Sequence, residues 1–141
     1  MSWLLDTCAL SEKLQRHPDP KFVRWIEARD PGEMFISVIS IGEIEKGIQL
    51  LADSAKKKKL ARWFANELIP FFKDRTLEIG PAEAREWGRI FARLQLQGKK
   101  PPVIDSLLAA MAATHGLTLV TRNEADFLLL GVEVLNPWTP S

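Results

Sequence analysis

The chain has 141 residues, 46% of them hydrophobic and 26% charged, with a net charge of +1. That length suits one domain with a buried core, and that charge excludes a bulk polyanion binder, so an anionic partner has to meet a local basic patch. A single cysteine, Cys8, excludes an internal disulfide and points to a reducing compartment.

Trp3 to Leu5 reads as a short buried strand that runs straight into Asp6. Ser11 to Gln15 opens a helix that His17-Pro18-Asp19-Pro20 breaks, and Phe22, Val23, Trp25 and Ile26 give a short amphipathic helix. Met34 to Ile39 is apolar and β-branched, hence a second strand. Ser40-Ile41-Gly42-Glu43 fits a Ser-x-x-Glu capping box and predicts a helix starting there. Lys56 to Lys59 read as the solvated start of a helix whose apolar residues follow as Leu60, Trp63, Phe64, Leu68, Phe71 and Phe72. Four aromatics exceed what one helix face needs, which suits either an interface between two copies of the chain or burial within the monomer. Leu77 to Ile79 is a further short strand.

Trp87, Ile90, Phe91 and Leu94 mark a helix ended near Gly98. Ile104, Leu107, Leu108, Met111 and Ala112 mark another, ended at Gly116. Leu117 to Val120 and Val132 to Leu135 are the last strands. Strands alternating with helices predict one α/β domain over residues 1–141, with a mainly parallel sheet covered on both faces. Ligands in such sheets bind beyond the carboxyl ends of the strands. The N-terminus shows no secretion signal, and the most apolar stretch, VIDSLLAAMAATHGLTLV, is interrupted by Asp105, His115 and Gly116. The expected location is therefore the cytoplasm, with no membrane span.

Four acids lie near predicted helix starts: Asp6 after the first strand, Glu43 after the second, Asp105 after Pro101-Pro102, and Asp126 after Thr121-Arg122-Asn123. Each alone fits a cap or a dipole partner. Together, at one edge of a parallel sheet, they can converge, and converging carboxylates repel unless a cation sits among them. An all-oxygen set suits Mg²⁺ or Mn²⁺, and such a site suits phosphodiester hydrolysis. His17 and His115 stand apart as surface or helix-end residues. Lys46, one helical turn from Glu43, can touch a phosphate or pair with Glu43, and the pair is the expectation. Thr7 and Thr121 are placed to support the carboxylates or serve as structural strand-end residues, and Arg122, Lys99 and Lys100 read as solvated surface or as contacts to a phosphate backbone.

The segments LLDTCALSE, ISVISIGEIEKGIQLL and PPVIDSLLAAMAATHGLTLVTRNEADF, with the closing LNPW, resemble the PIN-domain ribonucleases, nearest to the VapC-type toxins of bacterial type II toxin–antitoxin pairs. The resemblance spans nearly the whole chain. It implies a three-layer α/β/α sandwich, a Mg²⁺- or Mn²⁺-dependent endoribonuclease, a homodimer, and a cognate antitoxin that blocks the site. It also implies that the catalytic and metal-binding acids are Asp6, Glu43, Asp105 and Asp126, with Asp6 and Asp105 as the principal ligands. The chain departs from many members in carrying Cys8 where they have Asn, and the bland reading of Cys8 is a buried structural thiol. Glu124 beside Asp126 leaves open which of the two points inward.

Three other readings compete. A non-catalytic Mg²⁺-binding signalling domain of receiver type would want an acid cluster after the first strand and a late Lys. A phosphatase with Asp6 as nucleophile would want a second Asp two residues on. An inactive PIN-fold scaffold would be expected to have lost some of the four acids.

Overall fold

The structure is a computed structural model and describes residues 1–138. β1 (Trp3–Leu5) leads into α1 (Thr7–Glu12), and α2 (Pro20–Glu27) with a 3₁₀ turn (Pro31–Glu33) carries the chain to β2 (Met34–Ser37). α3 (Val38–Gln49), α4 (Ala55–Trp63), a π turn (Phe64–Leu68) and α5 (Ile69–Phe71) precede β3 (Thr76–Leu77). α6 (Pro81–Leu96) and α7 (Val103–His115) pack together before β4 (Thr118–Val120), and α8 (Glu124–Leu129) connects to β5 (Val134–Leu135).

The sheet order is β3-β2-β1-β4-β5, and all four pairings are parallel. Parallel neighbours need crossover connections, which the helices provide. The chain winds outward from β1 to β2 and β3, then crosses back to lay β4 and β5 on the other side of β1. The winding therefore reverses at β1, between β2 and β4, where open parallel sheets take their ligands.

Side chains alternate along each strand. Trp3 and Leu5 of β1, Met34 and Ile36 of β2, and Val120 of β4 face a core closed by Leu10, Phe22, Ile44, Ile48 and Phe64. Leu4 of β1 and Leu119 of β4 face a second core with Ile90, Leu94, Leu108, Met111 and Phe127. The sheet thus lies between two helical layers, the expected α/β/α sandwich.

Several boundaries differ from expectation, each for a local reason. The first helix begins at Thr7, four residues before Ser11, because Asp6 caps it. β2 ends at Ser37, not Ile39. Ser37 is the N-cap of α3, and its Oγ accepts from the Ser40 N–H at 3.2 Å. The box expected at Ser40 and Glu43 is therefore not formed: β-branched Val38 and Ile39 favour a strand, but an earlier serine supplies the cap. The outer strands are shorter than expected, and Ile79 and Val132 fall outside them. Lys56 to Lys59 do lie in α4, which Ser54 caps.

The aromatic segment follows the second of its two readings, burial within the monomer. Phe64 and Phe72 are buried in the monomer core, Trp63 is half-buried, and only Phe71, 51% exposed, stands clear. The π turn between them has the Ile69 N–H bonded to the Phe64 carbonyl, five residues back. Pro70 has no N–H, and its ring would strike a carbonyl four residues earlier in a regular helix, so the widened turn fits this position. No helix among the described residues is long and apolar enough to cross a membrane.

Candidate active site

Asp6 follows β1 at the reversal point, and its backbone N–H continues the ladder to the Val120 carbonyl at 3.1 Å. The residue is 5% exposed. Oδ1 accepts from the Ala9 N–H at 2.9 Å, so the residue does cap α1. The Cys8 thiol lies 2.9 Å from Oδ1 and 3.2 Å from Oδ2. Burial holds the Asp6 carboxyl above its ordinary range. Bonds from Cys8, Thr121 and Ala9 oppose that rise, and the Glu43 charge adds to it. Burial, and then the Asp6 charge, push the Cys8 thiol up to about 12, so it stays protonated and able to donate. Cys8 is thus a half-buried, protonated thiol that acts as a hydrogen-bonding support for Asp6.

Glu43 lies inside α3 rather than at its start. Its Oε1 accepts from Thr7 Oγ1 at 2.6 Å, and the Thr7 and buried Ser40 hydroxyls are hydrogen-bonded at 3.1 Å. The expected Lys46 pair is not made; Lys46 is exposed, and Glu43 is held by a hydroxyl from α1 instead.

Asp105 occupies the first turn of α7, with no side-chain bond at the helix cap. The turn is fixed from behind: Ser106 Oγ donates to the Val103 carbonyl at 2.8 Å and accepts from Trp87 Nε1 at 2.9 Å. Burial, and then the charges of Asp126, Glu43 and Asp6, hold the Asp105 carboxyl above its usual range. The four acids therefore share one electrostatic neighbourhood. Asp126, not Glu124, is the α8 acid that acts on Asp105. Asp126 is exposed in the first turn of α8, and Asn123 makes no side-chain cap there. Thr121, fully buried, accepts from the Asn123 N–H at 3.1 Å and supports Asp6, so both threonines act on acids.

Among the described ion pairs, none involves Asp6, Glu43, Asp105 or Asp126. Four acids without a cationic partner, one deeply buried, form an all-oxygen set suited to a hard divalent cation that keeps several waters. Among the described residues, no three His, Cys, Asp or Glu side chains are drawn tightly enough to make a closed ligand set. Asp6 is turned onto its cap and Glu43 onto Thr7, so the fit lies in donor type and shared field.

Two features had little local signal. His115 is the helix-end residue expected, but its Nε2 lies 2.8 Å from Glu83 Oε2, joining the end of α7 to the start of α6; His17 is a surface residue. Glu12, 6% exposed, accepts from Trp138 Nε1 at 2.5 Å and Arg122 Nη2 at 2.8 Å, partners 126 and 110 residues away. Its one sequence signal is that it falls a helical turn after Cys8, beside the buried Ala9 and Leu10. Lys99 and Lys100 are exposed, as solvated surface would be.

The profile of the PIN domain matches residues 3–131. The chain is 31% identical over 135 residues to Toxin FitB of Neisseria gonorrhoeae, covering 96% of this chain and 97% of that protein. It is 26% identical over 138 residues to VapC ribonuclease Y4jK of Sinorhizobium fredii, covering 98% and 99%. Its fold superposes on the crystal structure of FitAcB from Neisseria gonorrhoeae with a TM-score of 0.91 at 31% identity, covering 96% of this chain and 98% of that one. With a family profile over most of its length, relatives along the whole of it and the same sandwich, the chain belongs to the PIN-domain family.

Proposed function

We propose that this protein is a metal-dependent endoribonuclease, the toxin of a toxin–antitoxin pair, with Asp6, Glu43, Asp105 and Asp126 as its active site. The observation that carries the reading is the gathering of four acids, none of them in an ion pair, at the reversal point of the sheet. The names of the relatives, a toxin and a ribonuclease, support it. Mg²⁺ or Mn²⁺, held chiefly by Asp6 and Asp105 with Glu43 and Asp126 completing the set, supplies neutralisation of phosphoryl charge and activation of water.

The chain's own residues prepare that site. Ala9, Cys8 and Thr121 hold Asp6 in one rotamer and favour its charged form against burial. Thr7 aims Glu43 from across the α1–α3 contact. The Trp87–Ser106 bond fixes the turn that presents Asp105. The partners under this reading are an RNA substrate, a second copy of the chain and a cognate antitoxin protein, all in the cytoplasm. A receiver-type signalling domain is disfavoured, because its sheet runs 2-1-3-4-5 while this one runs β3-β2-β1-β4-β5.

The test is expression in a bacterial host without an antitoxin. Wild type is expected to arrest growth, and Asp6→Ala to leave it unaffected. Equal arrest by both would separate toxicity from the acids. Light scattering on the purified protein is expected to give twice the 15.9 kDa chain mass.

A further inference from the structure

The loop after β4 carries Thr121 inward to Asp6 and turns the next side chain, Arg122, outward. An outward arginine is ordinarily mobile, but this one is tied down on two sides. Nη2 donates to Glu12 Oε1 at 2.8 Å, and the guanidinium lies over the Trp138 ring, 4.7 Å from its centroid. Trp138 is fixed in turn, by its bond to the same Glu12 oxygen and by stacking on buried Phe22 at 4.7 Å. A buried carboxylate in α1 and an indole near the end of the described chain thus hold one cation beside the acid site. The Arg122 side chain remains 55% exposed, and only one of its five N–H groups is given to Glu12.

Arg122 lines an open cavity of about 940 Å³ with Gln15, Arg16 and His17 from the loop between α1 and α2. Asp19 also borders it, but its Oδ1 is taken by the Lys21 N–H at 2.8 Å. Gln15 and Arg16 border the adjoining cavity as well, which reaches Thr7 and Glu43. A donor-rich pocket therefore runs on from the Glu43 side of the acid site. A stacked guanidinium with free in-plane donors suits a phosphate, and backbone contacts of this kind set a strand's register without reading its sequence.

We propose that Arg122, positioned by Glu12 and Trp138, binds a backbone phosphate of the RNA strand flanking the cleaved bond, in the cavity it shares with Arg16. This rests on the ribonuclease reading and adds a substrate subsite to it. Glu12 is a positioning residue, since it acts through Arg122.

The test measures binding of a fluorescein-labelled single-stranded RNA oligonucleotide to the full chain in chelator, by anisotropy across a salt series, with melting curves for every variant. Arg122→Ala is expected to weaken binding about tenfold and to lower the slope of log K against log salt by about 0.7, the value of one single-strand phosphate. Arg122→Lys is expected to restore the slope but not the full affinity, because it keeps the charge and loses the planar fork. Glu12→Gln keeps an acceptor for Trp138 and loses the charge that holds Arg122; it is expected to weaken binding two- to fivefold. If Arg122→Ala does not fold, Arg122→Gln takes its place in the same comparison.

A folded Arg122→Ala protein with wild-type affinity and slope would overturn the subsite while leaving the ribonuclease reading intact. Equal losses in Lys58→Ala, an exposed cation in α4, would assign the effect to net charge and overturn the subsite too. Failure of the wild type both to bind RNA in chelator and to cleave it with metal would remove the ribonuclease reading, and this proposal with it.

Discussion

Thr7 gives its hydroxyl proton to Glu43 across 2.6 Å, joining the first residue of α1 to the middle of α3 over 36 positions of sequence. The two helices follow neighbouring strands, β1 and β2, so the bond sits where the sheet begins to wind. It holds the one acid of the four that no helix cap or first turn explains.

Thr7→Val keeps the shape of the side chain and removes the donor. Glu43 is half-exposed and can turn to water, so folding should lose no more than about 1.5 kcal/mol, the ordinary worth of such a bond. Cleavage of RNA is expected to fall about tenfold, equal to roughly 1.4 kcal/mol in the barrier, because Glu43 is no longer aimed. Initial rates alongside urea unfolding check both halves. Unchanged rates would make the Thr7 bond a matter of packing alone.

Glu43→Gln and Ser37→Ala separate the site from the cap. Ser37, not Ser40 with Glu43, begins α3. Ser37→Ala is therefore expected to cost about 1 kcal/mol of stability and to leave most of the activity at low temperature. Glu43→Gln is expected to stay within about 1 kcal/mol of wild type in chelator, while cleavage falls at least tenfold, or about 1.4 kcal/mol. Full cleavage by folded Glu43→Gln protein would return the residue to structure.

Asp105 makes the metal-free protein less stable than its fold allows. Its carboxyl is held above the ordinary range by burial and by Asp126, Glu43 and Asp6. A carboxyl raised in the folded state holds its proton more tightly there than in the unfolded chain, so stability rises as pH falls through that raised value. Above that raised value the group is charged and the folded state bears the repulsion. Asp105→Asn is therefore expected to raise the melting temperature in chelator and to reduce the further rise that Mn²⁺ gives wild type. A lower melting temperature in chelator would contradict the shared field.

These outcomes show where the sequence was informative. Trp3 to Leu5 lies wholly inside one strand because a parallel sheet buries both faces, and a continuous apolar run is the mark of that. The α7 pattern from Ile104 to Ala112 was legible for a similar reason, and Gly116 ends the helix with φ 63. The order of the four acids was readable because helices between strands bring loops to one edge. Ser37 and Ser40 were not separable locally: both precede helix-compatible residues, and the end of β2 depends on its pairing with β1 and β3. Glu12, Arg122 and Trp138 were illegible as a group, since contacts more than a hundred residues apart leave no periodic trace.

The Glu83–His115 pair should shape the acid limb of stability. Glu83's own backbone N–H and then the His115 ring hold its carboxyl below the ordinary 4.5. A lowered carboxylate contributes stability above its unfolded value and loses it as pH falls through the folded one. His115→Ala is expected to make the folded chain less stable above pH 4.5, with a shallower loss as pH falls below it. Unfolding midpoints compared from neutral to acid pH check this, and superimposable curves for the two proteins would leave the pair without effect.

The central claim is that the four acids cleave RNA through a bound divalent cation. Its most direct test is end-mapping of total bacterial RNA after incubation with purified protein, in Mg²⁺ or Mn²⁺ and in chelator, for wild type and for the double variant Asp6→Asn, Asp105→Asn. Discrete new ends are expected only from wild type and only with metal. The same ends in equal yield from the folded double variant, or from wild type in chelator, would contradict the account.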